Sequence, residues 1–148
     1  MAIQFLNAKD KKKILELLEV QFGINKFHDF HIIQDIDNLF IFTGDISTMS
    51  LDKLKVSQIG MRIGKLNEGK LLLTVQGAQF FGPHANKNII ELSKEDARHY
   101  LKGEDIKTDK QDRIYLIKSQ DDFVGCSKVR NQIIRNNVEK ARRIDCKD

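Results

Sequence analysis

The sequence predicts an α+β fold of two small units: a mixed α/β domain over residues 1–85, then a strand-rich domain over residues 86–148. Three observations lead there. Short apolar or alternating runs are broken by turn residues, and only a few stretches carry helical periodicity behind a capping residue. Gly82-Pro83 holds the only proline of the chain. Proline disfavours helix in the residue before it, which sets the boundary near residues 83–87. Charge is also unevenly spread. Residues 1–112 carry 16 Lys/Arg and 16 Asp/Glu, whereas residues 113–148 carry nine and five, and so the whole net charge of +4.

The first unit opens with a helix. Asn7 can cap the first N–H groups, Asp10 favours the positive end of the dipole, and Gly23 is a natural stop. Between them Ile14, Leu15, Leu17, Leu18 and Phe22 make one apolar face. Phe30–Gln34 and Leu39–Thr43 read as strands joined by the turn-forming Asp35-Ile36-Asp37-Asn38. Ser50–Lys55 reads as a short helix. Val56–Leu66 and Lys70–Val75 read as a hairpin around Asn67-Glu68-Gly69. Gln76–Phe81 adds a helical turn before the proline.

The second unit starts with a strand at Asn88–Leu92. Ser93-Lys94-Glu95-Asp96 then resembles a capping box, opening a helix through Lys102 that ends at Gly103. Arg113–Lys118 and Phe123–Val129 are further strands. The stretch from Asn131 to Ile144 is polar and basic, with Ile133, Ile134, Val138 and Ile144 as its apolar points.

At 41% hydrophobic and 31% charged residues, 148 residues can bury a core beneath a heavily solvated surface. No run of 18 apolar residues suggests a membrane span. The start, Met1-Ala2-Ile3-Gln4-Phe5-Leu6, lacks the basic and apolar regions of a signal peptide, so the expected location is cytoplasmic, or nucleolar in a eukaryote. Cys126 and Cys146 are expected as free thiols.

The terminal basic excess is the pattern of a polyanion binder, against the plainer alternative of a solvated tail. Lys128, Arg130, Arg135, Lys140, Arg142 and Arg143 are placed to neutralise phosphates. The arginines are the stronger candidates, because a guanidinium grips phosphate with two hydrogen bonds and stacks on unpaired bases. Asn131, Gln132, Asn136 and Asn137 could add base or sugar contacts. No catalytic, cofactor or metal site is expected. His28-x-x-His31 has no partner ligands at metal spacing. Cys126 sits in an apolar strand where a buried structural thiol is the ordinary outcome. Phe80-Phe81 is read as a hydrophobic seam rather than a base-stacking platform. There is no phosphate loop, dinucleotide fingerprint or recognisable triad.

From Ile89-Ile90-Glu91-Leu92-Ser93, through Tyr100-Leu101-Lys102-Gly103-Glu104-Asp105-Ile106, to Phe123-Val124-Gly125-Cys126-Ser127-Lys128, the second unit resembles the PUA domain. That domain is named for pseudouridine synthases and archaeosine transglycosylases. The ending on Arg142-Arg143-Ile144 is similar to the PUA-like tails of some RNA cytosine methyltransferases. Most of the chain also resembles the Nip-seven family of large-subunit ribosome-biogenesis proteins. This rests on the N-terminal helix, the Leu39–Thr43 strand, Arg62-Ile63-Gly64-Lys65-Leu66, Leu71-Leu72-Leu73-Thr74-Val75 and Phe80-Phe81-Gly82-Pro83-His84-Ala85.

The resemblance implies a PUA-like β-pseudobarrel and non-enzymatic binding of ribosomal or transfer RNA in ribosome biogenesis. It also places Lys102 and Gly103 beside the RNA face. For Gly103 and Gly125 the alternatives are a backbone need or room for an approaching RNA backbone. The methyltransferase-like ending departs from the Nip-seven pattern. It keeps a second expectation open, an accessory that delivers RNA to a modification enzyme such as a methyltransferase. A protein-interaction module without RNA affinity is the third.

Overall fold

The computed structural model describes residues 3–27, 30–42 and 60–144. The helix expected at Ser50–Lys55, the beginning of the strand expected from Val56, and His28, Cys146 and Lys147 lie outside the described residues.

The first sheet is an antiparallel meander in the order β1-β2-β3-β4-β5: Ile3–Phe5, His31–Asp35, Asn38–Phe42, Met61–Asn67 and Lys70–Leu73. Helix α1, Ala8–Phe22, runs between β1 and β2. Its start follows the expected chemistry, with the Asn7 side chain accepting from the Asp10 N–H at 2.8 Å. Ile14, Leu18 and Phe22 form its buried stripe. Glu68 and Gly69 both have positive φ, 52° and 77°, as a two-residue type I′ turn requires, and they close the β4–β5 hairpin. The strand expected to reach Val75 stops at Leu73. The Thr74 hydroxyl turns to accept from the Gly77 N–H at 3.0 Å, and this cap starts α2, Val75–Phe81.

The second sheet has the order β6-β8-β9-β10-β7: Ile89–Leu92, Arg113–Ser119, Asp122–Arg130, Ile133–Ile134 and Ile106–Lys107. Only β6 and β8 pair in parallel, with α3, Lys94–Leu101, in the connection between them. Ser93 Oγ accepts from the Asp96 N–H at 3.1 Å to cap α3. The sheet curls into a half-barrel, completing the α+β fold that the sequence predicts. No helix among the described residues is long and apolar enough to cross a membrane.

Two cores result. One fills the half-barrel around Tyr100, Ile117, Val129, Ile134 and Val138. The other unites α1, the first sheet and α2 with Ile114, Leu116, Phe123 and Cys126 of the second sheet. Phe81 is buried in this second cluster with Phe80 packed edge-on at 4.9 Å, so the aromatic pair forms a seam. The connecting segment is also pinned. The Asn86 N–H donates to Phe22 O at 2.9 Å, and the Asn88 side-chain amide donates to Gln21 O.

Candidate nucleic-acid interface

Two apolar anchors fix the basic tail. β10 pairs with β9 on one side and β7 on the other, which buries Ile134 completely. Val138, only 3% exposed, reaches the same core four residues later. The chain then makes a 3-10 turn at Lys140–Arg142, and the Ile144 N–H donates to Leu101 O at 3.0 Å. Residues 135–144 therefore run as a strap whose backbone is pinned at Val138 and at Ile144.

Beside this strap is a groove of about 360 Å³. Arg142 and Arg143 of the strap line it together with Arg62 and Lys65 of β4. Residues three apart on a regular strand point to opposite faces. Here the β3–β4 register shifts by one residue: Leu39 faces Gly64 but Phe40 faces Arg62, leaving Ile63 as the extra residue of a bulge. Alternation restarts after it, Ile63 and Gly64 are both buried, and Arg62 and Lys65 reach the same groove. The Arg62 guanidinium donates to Asn38 Oδ1 and to Glu139 Oε1, each at 3.0 Å. Arg142 Nε lies 3.9 Å from the other carboxylate oxygen of Glu139. The groove thus gathers four cations around one carboxylate.

A second groove, about 170 Å³, adjoins the other end of β4. It brings Lys128 and Arg130 of β9 together with Lys70 and Arg113. Lys128 Nζ donates to Asn67 Oδ1 at 2.9 Å, and Arg130 lies 3.8 Å from Glu68. The five-residue step along β4 from Arg62 to Asn67 spans ~17 Å. That strand contributes lining residues to both grooves.

The remaining candidates are dispersed. Lys102 caps the end of α3 and Lys140 lies in the 3-10 turn, and neither lines these grooves. Arg135 also stays outside them, 3.7 Å from Asp105. Gly103 has φ 100°, which meets its backbone need, and Arg143 packs over it: a Cβ there would come within 2.6 Å of Arg143 Nε. Arg143 Nε donates to Val138 O at 3.2 Å, so this side chain joins the glycine turn to the groove. Gly125 is buried beneath Tyr100, where a Cβ would lie 2.6 Å from the hydroxyl. Its place is in the core, not under an approaching nucleic acid.

Two of the amides read from sequence are committed to the fold. Asn136 Nδ2 donates to Tyr100 O and Glu104 O at 2.6 and 2.8 Å, and its Oδ1 accepts from the Val138 N–H at 3.0 Å. Asn137 Nδ2 donates to Cys126 O at 3.1 Å. The groove offers charge and shape rather than amide readout. Cys126 is 1% exposed, and burial pushes its thiol up to about 12, against a weaker opposing hydrogen bond from the Leu73 backbone. It is protonated at neutral pH, as expected of a structural thiol. His31 packs edge-on against Phe5 at 6.3 Å. Among the described residues, no three His, Cys, Asp or Glu side chains cluster as metal ligands would.

Sequence reasoning missed Arg62, Lys65 and Lys70 as site residues, and counted Arg113 only as part of the basic excess. Their one local signal was charge on strands otherwise apolar.

Comparison with known proteins bears on the second unit. No curated protein matches the chain. A family model described as "Methyltransferase RsmF PUA domain" matches residues 87–144. Every basic candidate from Lys102 to Arg143 lies inside that match, while Arg62 and Lys65 lie outside it. Residues 87–144 are accordingly a PUA-like domain, similar to the one that the RsmF methyltransferase model describes.

Proposed function

We propose that this protein is a non-catalytic RNA-binding protein, cytoplasmic, whose target is ribosomal RNA. One observation carries the proposal: cations from a PUA-like domain and from the neighbouring hairpin converge on one groove, Arg142 and Arg143 together with Arg62 and Lys65. Convergent cations suit a flexible polyanion, and each phosphate they neutralise releases condensed counterions. A role in ribosome biogenesis draws on the resemblance to the Nip-seven family alone. The description of the matching model favours a second reading within RNA binding, in which the protein holds RNA for a separate methyltransferase.

The test is fluorescence anisotropy with labelled ribosomal and transfer RNA fragments at two salt concentrations. Micromolar or tighter binding is expected, with log affinity falling by about 0.7 per log unit of salt for each phosphate engaged on a single strand. Replacing Arg142 and Arg143 together by Ala should weaken it while circular dichroism stays unchanged. Absence of binding to any RNA at low salt would remove the RNA reading and leave a protein-interaction module. The methyltransferase reading expects added protein to raise methylation of the same RNA by the partner enzyme.

A further inference from the structure

We infer that Glu139 occupies the place of an RNA phosphate between Arg62 and Arg142, so that the groove is masked by its own carboxylate and single-stranded RNA enters by displacing it. This rests on the RNA-binding reading above and specifies how the same groove is used.

The geometry is that of an anion site already filled. The two carboxylate oxygens of Glu139 are divided between two guanidinium groups, Oε1 at 3.0 Å from Arg62 and Oε2 at 3.9 Å from Arg142. Carboxylate and phosphate present the same pair of acceptor oxygens to an arginine fork, and phosphate carries the more widely shared charge. The two arginines come from different parts of the molecule, β4 and the tail strap, and Glu139 is the anion between them.

Displacement is easy. The Arg62, Glu139 and Arg142 side chains are 34%, 51% and 44% exposed, so both ion pairs are solvent-screened and weak. Glu139 sits directly after the Val138 anchor, on an exposed stretch where its side chain can swing into water without disturbing a core contact. Lys65 and Arg143 line the same groove and would meet the adjoining phosphates. The Asn136 and Asn137 amides serve the backbone, so the groove selects a charged single strand over any base sequence. A masking carboxylate also discourages free small anions, which bring one charge where a strand brings several.

The experiment is the same anisotropy titration with a single-stranded ribosomal RNA fragment, repeated with the full-length variants Glu139→Gln, Arg62→Gln and Glu16→Gln. Glu16 is exposed on α1, and its replacement makes the same change in net charge. Glu139→Gln should bind about two- to fivefold tighter, as a weak surface pair released from competition allows. Its salt slope should stay close to that of wild type, because the same phosphates are engaged once Glu139 has been displaced. Arg62→Gln should bind more weakly with a shallower slope, although Arg62 lies outside the PUA-like domain.

A Glu139→Gln variant that melts lower and binds no tighter would make Glu139 a structural bridge and overturn the inference. Equal tightening in Glu16→Gln would overturn it too, as a net-charge effect. Should Glu139→Gln lose its fold, Arg62→Gln decides alone: unchanged affinity and slope overturn the inference. If wild type binds RNA and the variants behave alike, the masking idea fails while the RNA reading stands. If neither wild type nor Glu139→Gln binds, both fall. If only Glu139→Gln binds, both are upheld.

Discussion

Ile36 is a β-branched side chain at φ 57° in the β2–β3 turn, with 69% of its surface exposed. A non-glycine residue so placed carries strain of about 1–3 kcal/mol, and no burial offsets it. Ile36→Gly should therefore raise unfolding stability by about 1 kcal/mol in urea titration, net of glycine's greater freedom when unfolded. Alkali should act in the opposite direction through Cys126. Its folded value is raised from 9.0 to about 12 by burial, and burial pushes Tyr100 upward as well. Below pH 9 both states keep the thiol proton and the contribution to stability is complete. Above it the unfolded chain releases that proton first, so stability should fall as pH rises from about 9 toward 12, measurable as a declining urea midpoint. Site residues were unequally legible at this scale. Lys128, Arg142 and Arg143 stood out because their neighbourhood carries a basic excess. Arg62 and Lys65 did not, since the first 112 residues are charge-balanced and regular alternation would separate the two.

Elements with a cap and a long enough period were readable. α1 and α3 announced themselves through Asn7 and Ser93, and the β4–β5 hairpin through its turn. β1, β7 and β10 have two or three residues each, too few for any period to show, and only sheet pairing defines them. α2 was read a residue late because Leu71-Leu72-Leu73-Thr74-Val75 is also a good strand sequence. The Thr74 side chain decides the matter by capping α2 and donating to Arg62 O at 2.8 Å. Thr74→Val keeps the shape and removes both bonds. It should cost about 1 kcal/mol in chemical denaturation, the usual value of an N-cap, and loosen the backbone under Arg62.

Across the whole molecule, burial ties the two sheets together. Ile114, Leu116, Phe123 and Cys126 of the second sheet share one cluster with Leu18, Phe22 and Phe81. Fluorescence, circular dichroism and calorimetry should therefore report a single coincident unfolding transition for the full chain. Residues 86–148 alone would expose that apolar surface and should be markedly less stable. Local patterns could show two sheets, but not how much core they share, because each strand's apolar face reads the same whichever layer covers it. The bulge at Ile63 has a consequence of a different kind. Deleting Ile63 would change neither the ionisable composition nor the isoelectric point, and the strict alternation it restores in β4 would leave Arg62 and Lys65 two residues apart, still on one face and opposite the same partners in β3. Substitutions at Arg62 or Lys65 would weaken the groove one charge at a time, whereas loss of the Ile63 codon would leave both charges in place. The cost of that deletion would fall on the core instead, where the fully buried Ile63 side chain would be lost.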